Sequence, residues 1–338
     1  MKTVFTFRNN YLFFLILFAL TDCQTEEQNQ QNAEEEMLVS SGKPRAVKAL
    51  DGTMLELREI AEPTKRKYQK NLINALADYH KDPTDIDNII WYGRRKAYLG
   101  YYWQAIKIFT EGISLYPDSS QLYRHRGHRY ITVREFDQAI DDLETAASLC
   151  EEEDNFIEPD GLPNKSGIPL SNNKFNIYYH LGLAYYLKGD FYKALESYRQ
   201  CLNYSDNDDL LIATSDWLYM TYNRLGMKAE AVAILDQISD SMKVIENDSY
   251  HKRLLMYKGE VTPEELLNIS KLENDDSVLS LVTQGYGVGN WYLQNGDTTK
   301  ALDIFHTMIS KNYWSAFGHI AAEADLLLLD TTEDQSEI

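Results

Sequence analysis

Residues 91–117 read WYGRRKAYLGYYWQAIKIFTEGISLYP, with Gly93, Gly100, Ala105, Phe109, Gly112 and Pro117 as its fixed points. Shifted by 34 residues, Gly93 falls on Gly127, Ala105 on Ala139, Phe109 on Leu143 and Gly112 on Ala146. A third copy carries Gly182, Tyr185, Gly189, Phe191, Ala194, Tyr198 and Cys201, and a fourth carries Tyr222, Gly226, Ala231 and Leu235. Another has Gly289, Tyr292, Gly296, Ala301 and Phe305. Ala231 and Ala301 are two periods plus two residues apart, so a degenerate copy lies between them. The second helix of that copy is announced by Thr262-Pro263-Glu264-Glu265, a capping box with Pro at the first helical position. Self-similarity at such a period marks stacked supersecondary units.

These residues resemble the tetratricopeptide repeat (TPR), a pair of antiparallel helices. Small residues let the two helices approach, large ones fill the gap, Gly makes the turn, and Pro ends the second helix. The resemblance implies an all-α, right-handed solenoid with repeats near 86–119, 120–153, 175–208, 212–245, 246–281 and 282–315, within a body spanning 54–329. A helix over 63–80, with Tyr68, Leu72, Leu76 and Tyr79 on one face, is expected to cap the first repeat. A solitary helix over 314–329 is expected to cover the last one, and 330–338 to form an acidic tail. The HRGHRY, EPDGLPN and GHIAAEAD stretches are similar to those of bacterial TPR lipoproteins.

One segment breaks the period. Ala139 and Ala194 are 55 residues apart, which leaves about 21 extra residues near 151–172, holding three of the eight prolines. Phe156, Ile157, Leu162, Ile168 and Leu170 give this insert enough apolar surface to fold onto the solenoid and edge its groove. A free surface excursion is the alternative.

At the N-terminus Lys2 and Arg8 precede ten unbroken apolar residues at 11–20, too short to cross a bilayer and typical of a secretory signal. Leu20-Thr21-Asp22-Cys23 then resembles the lipobox of bacterial lipoproteins, although Asp22 stands where a small residue is usual. The resemblance implies a signal peptide over 1–22, acylation of Cys23, and an anchor of two acyl chains. Residues 23–53 are then expected to be the lipidated Cys and a flexible acidic and polar tether. Gln24 after the anchor points by analogy to the outer membrane of a bacterial envelope.

The chain has 33 Lys+Arg against 52 Asp+Glu, a net charge of −19. That balance argues against a nucleic-acid binder or a polybasic membrane-surface protein. Three cysteines cannot make a disulfide framework. No HExxH, CxxC, GxSxG or phosphate-loop motif is present, so no catalytic residue, metal site or cofactor is assigned. Alternating Gly285, Gly287 and Gly289 fit close helix packing better than a phosphate loop. His125 and His128 could share a metal but lack a third donor.

In the TPR family the first helix of each repeat turns fixed positions to the concave groove. Carried onto this chain, the candidate partner-binding residues are Arg94, Tyr98, Arg124, His128, Tyr179, Tyr186, Asn223, Arg224, Tyr286 and Asn290. Arg94, Arg124 and His128, with neighbouring Arg95 and Arg129, concentrate positive charge in an acidic chain, and Arg suits bidentate carboxylate. The first expectation is therefore a lipid-anchored envelope scaffold or assembly factor, not an enzyme, whose groove takes a protein or peptide, an acidic one among the candidates. The second is a carrier or sensor of a small anionic ligand or glycan, and the third an enzyme with a site under the insert. An open groove favours the first; a closed pocket beneath 151–172 favours the others.

Overall fold

The computed structural model describes residues 44–267 and 275–336. The signal segment, Cys23 and the tether through residue 43 lie outside the described residues. Fourteen helices and one short hairpin make up the described fold. The hairpin pairs β1 (Val47–Lys48) antiparallel with β2 (Met54–Leu55). A capping helix α1 (Glu62–Lys81) follows. Six helix pairs come next: α2 (Ile86–Tyr98) with α3 (Tyr102–Leu115), α4 (Ser120–Thr132) with α5 (Phe136–Leu149), and α6 (Asn173–Lys188) with α7 (Phe191–Asn203). Then come α8 (Asp208–Arg224) with α9 (Lys228–Leu235), α10 (Asp248–Tyr257) with the single-turn α11 (Pro263–Leu266), and α12 (Asp275–Gln294) with α13 (Thr298–Ile309). Helix α14 (Phe317–Ser336) closes the chain. Through the first four pairs each helix packs chiefly on its neighbours in sequence, as a TPR solenoid requires.

Local chemistry sets the boundaries. The first helices of the first four pairs start on Asp85, Ser119, Asn172 and Asn207, whose side chains accept the backbone N–H three residues on. The turn inside each pair falls on a left-handed residue: Gly100, Gly189, Gly226, Gly259 and Gly296 have φ between 72° and 85°. Gly259 supplies this turn in the degenerate fifth pair, and the Thr262 capping box opens α11. In the second pair the turn residue is Arg134, at φ 67°, a conformation that disfavours any side chain. Helices approach closely where glycine allows it; a Cβ on Gly93 would lie 2.4 Å from the Phe109 ring. Gly287 likewise leaves room for Arg253, so the alternating glycines of α12 serve packing.

Two expected boundaries are corrected. The tether does not run to residue 53, because Val47 is buried with Ile106, Val133 and Trp314, and burying that side chain holds the hairpin on the body. The C-terminal tail does not begin at 330: no Gly or Pro interrupts the segment, and α14 continues to Ser336. Trp314 lies ahead of this helix, not in it.

The first and last parts of the described residues meet. The Trp314 indole N–H donates to the Glu56 carbonyl at 2.6 Å, and the Leu50 N–H donates to Glu323 at 3.3 Å. Arg134 reaches across from the second pair, donating to both Glu323 carboxylate oxygens at 3.1 and 2.5 Å and to the Trp314 carbonyl at 2.8 Å. The strained turn residue is thus the one that fastens hairpin, second repeat and last helix together.

Candidate functional site

The concave face is filled from within. Helix α14 packs on α12 and α13, as expected of a cap, and also on α6. Its Asp325 accepts from Arg224 at 2.5 Å and from the Tyr286 hydroxyl at 3.1 Å. The Tyr286 and Tyr186 hydroxyls lie 2.9 Å apart, and Asn290 donates to Tyr186 at 3.2 Å. Tyr179 accepts from the Trp217 indole at 2.8 Å. Tyr179, Tyr186, Asn223, Tyr286 and Asn290 are all buried. Asn223 stays local, donating to the Tyr219 carbonyl and accepting from Lys228, both at 2.8 Å. These predicted groove residues therefore line an occupied interior, not an open channel. Arg253, which the sequence reading passed over, forms a buried ion pair with Asp216 in the same interior.

At the first two repeats the insert plays the same part. Its ends are joined by the Ile157–Asn172 bridge, and its backbone lies over α2, where Arg94 donates to the Pro159 carbonyl at 2.9 Å and Arg95 to the Gly161 carbonyl at 2.8 Å. Gly161 lets the side-chain tips of Tyr98 and Arg94 come close: a Cβ there would fall 1.6 Å from the Tyr98 hydroxyl oxygen, so one of them would have to move. The segment drops Glu158 into the groove, where it is buried and accepts from Arg124 and Asn176. His125 Nε2 lies 3.2 Å from the same carboxylate, and its Nδ1 lies 2.9 Å from an Arg124 nitrogen. Arginine can only donate, so Nδ1 accepts and Nε2–H faces Glu158. That bonding fixes a neutral imidazole and leaves it no lone pair for a metal.

The electrostatics agree with the geometry. Burial, then the Arg124 charge, pushes His125 down to about 3. His180 is pushed down to about 3 by the same two causes, while its Nδ1 lies 2.5 Å from the Asn176 carbonyl. Burial followed by Arg129 holds His128 well below its ordinary value. Burial opposes the charge on Glu158, but Arg124, His125 and Arg94 outweigh it and hold the carboxyl below its usual range. Beneath the insert a cavity of about 190 Å³ remains, lined by Arg94, Tyr98, Arg124, His128, Arg129 and Asp160 among others.

A tetratricopeptide-repeat model matches residues 175–208, the third helix pair with its turn on Gly189. The chain is a TPR protein. Repeats of this kind generally serve as interaction scaffolds and not as enzymes. Among curated proteins, the BBSome complex member BBS4 of Bos taurus is 27% identical over 138 residues, covering 41% of this chain and 22% of that protein. The TPR chain thus spans about a fifth of that relative's length. Among solved structures it is similar in fold to YrrB, described as a TPR protein with an unusual peptide-binding site, at 13% identity and TM-score 0.39 over 73% of this chain and 95% of that one. It is also similar to MamA, at 18% and 0.40 over 61% and 100%, and to the APC/C hetero-tetramer Cut9–Hcn1, at 15% and 0.43 over 77% and 40%.

Elsewhere in the TPR protein, Cys150 and Cys201 are buried free thiols, and burial pushes them up to about 11 and about 12. A larger cavity of about 500 Å³ lies between the hairpin and α14, lined by Met54, Leu55, Ile309 and Leu326 with His319 and Glu323. Its carboxylate is already engaged by Arg134. The residues that organise the molecule and were not singled out in the sequence are Glu158, Gly161, Arg134, Glu323 and Asp325. Arg134 stands where the repeat calls for Gly, and the other four lie within the EPDGLPN and GHIAAEAD stretches without a role read for them.

Proposed function

We propose that this TPR protein is a lipid-anchored adaptor of the bacterial envelope, held by an acylated Cys23 and docking a partner protein on the outer face of its insert. The observation that carries the reading is the exposure of three large apolar side chains on a segment whose backbone is pinned. Ile157 is 50% exposed, Leu162 52% and Ile168 52%. Arg94 and Arg95 hold the segment from one side, and Asn164 is held by Glu246 at 2.6 Å from another. Apolar surface ordered in this way costs little entropy to bury against a partner. The concave positions offer no such surface, because Glu158 and Asp325 already take Arg124 and Arg224. BBS4, a complex member by its description, is in keeping with an adaptor role.

Capture from detergent-solubilised envelope by the full chain, beside an Ile157→Ser/Leu162→Ser/Ile168→Ser variant, tests the docking surface. A stoichiometric partner held by the wild type and lost by the variant is expected. Equal capture by both would move the interface elsewhere, and capture by neither would end the adaptor reading. Cys23→Ser should release the protein from membranes; retention would refute the anchor.

A further inference from the structure

The cavity beneath the insert holds two buried polar atoms without a partner, of opposite kinds, and a third charged group beside them. Arg129, which lines it, makes no ion pair with a carboxylate among the described residues; its guanidinium faces the Tyr102 ring at 5.9 Å. Arg124 uses its terminal nitrogens on Glu158 and His125, but its buried Nε has no partner. On the insert side, the buried Oδ2 of Asp160 accepts from nothing. Orphaned donors and acceptors of this kind are rare in folded interiors, and each carries a desolvation cost. Burial is the largest influence on Arg129 and pushes it down to about 10 against the pull of Tyr102 and Tyr98, with a smaller contribution from repulsion by Arg124 and Arg94.

We propose that this cavity is a binding site for a small acidic α-amino acid. The carboxylates face Arg129 and Arg124 Nε, and the ammonium faces Asp160. Each orphaned group then has a partner of the right sense, which neither a simple anion nor a simple cation provides. The neutral histidines add no charge, so three guanidinium groups stand against Glu158 and Asp160, a surplus of one positive charge. A ligand with two carboxylates and one ammonium supplies the balancing negative charge. The volume, about 190 Å³, equals roughly six waters at ~30 Å³ each, which suits a molecule of this size. The site is distinct from the adaptor surface, since Ile157, Leu162 and Ile168 do not line the cavity.

The test uses the full chain in detergent, titrated with L-aspartate, L-glutamate, glycine and succinate at fixed ionic strength, with thermal shift and calorimetry as readouts. Aspartate or glutamate should bind saturably. Arg129→Gln should weaken that binding at least about tenfold, and its helical circular dichroism should be unchanged, since it removes an unpaired cation. Asp160→Asn should weaken the amino acids while leaving succinate as it was. Binding of none of the four overturns the site. Succinate binding as tightly as aspartate, with Asp160→Asn silent, overturns the ammonium half and with it the proposal.

Discussion

The neutral histidines under the insert make stability depend on pH in a calculable way. His125 and His180 are buried and held down to about 3, whereas in the unfolded chain they titrate near 6.5. Between those values the unfolded state binds more protons, so their contribution is fully present above pH 6.5 and is lost as pH falls toward 3. From pH 7.5 to 5.0 each histidine costs about 2 kcal/mol, about 4 kcal/mol for the two. The figure barely depends on where below 4 the folded value sits, because at pH 5 the native imidazoles are neutral either way. Buried Asp216 works in the opposite sense, since burial raises its carboxyl against the pull of Arg253. The wild-type curve alone therefore mixes two signs. The assay is urea unfolding of wild type beside His125→Gln/His180→Gln at pH 7.5, 6.5 and 5.0. The variant should be less stable at pH 7.5, having lost packing, and the gap should close by about 4 kcal/mol at pH 5.0. A gap constant to within about 1 kcal/mol would show that these imidazoles are charged in the native state and refute the bonding described.

Gly161→Ala should lift the insert from α2, because its Cβ meets the Tyr98 hydroxyl at 1.6 Å and Arg94 at 2.7 Å. Limited proteolysis within 151–172 should quicken while helical circular dichroism holds, and an unchanged cleavage rate would mean that the insert is not seated there. Arg134→Ala leaves Glu323 buried without its guanidinium, a loss of about 3–5 kcal/mol in a buried pair. Urea unfolding should register that loss and small-angle scattering a larger radius of gyration; a change under about 1 kcal/mol would make the clasp energetically idle.

Repeat positions were legible because they are set by contacts between residues close in sequence. Gly93 against Phe109, Gly182 against Tyr198 and Gly289 against Phe305 are the same contact at three places, and periodicity reports it directly. The groove was legible as a set of residues but not as a state. Arg224 and Tyr286 do face inward, yet their common partner Asp325 sits on a helix whose docking no period encodes. Glu158 was hidden differently, in an acidic run that reads as solvated until Arg124 and Asn176 are seen to bury it. The hairpin escaped notice because its strands are two residues long and the neighbours of Val47, which are Ile106, Val133 and Trp314, come from three other segments.

The clasp between the first and last parts of the described residues also bears on synthesis. An ordinary TPR array depends on adjacent units alone, so it can fold stepwise as the ribosome delivers it. Here the contact from Leu50 to Glu323 spans 273 residues, and the inward tyrosines of the third and sixth repeats wait for the final helix before they are covered. Every nascent copy passes through a stage in which the helix pairs are made and their aromatic interior is uncovered. That stage is the one at which a chaperone would find it and at which self-association competes with completion. Folding and quality control of this chain thus hinge on the helix that carries Glu323 and Asp325.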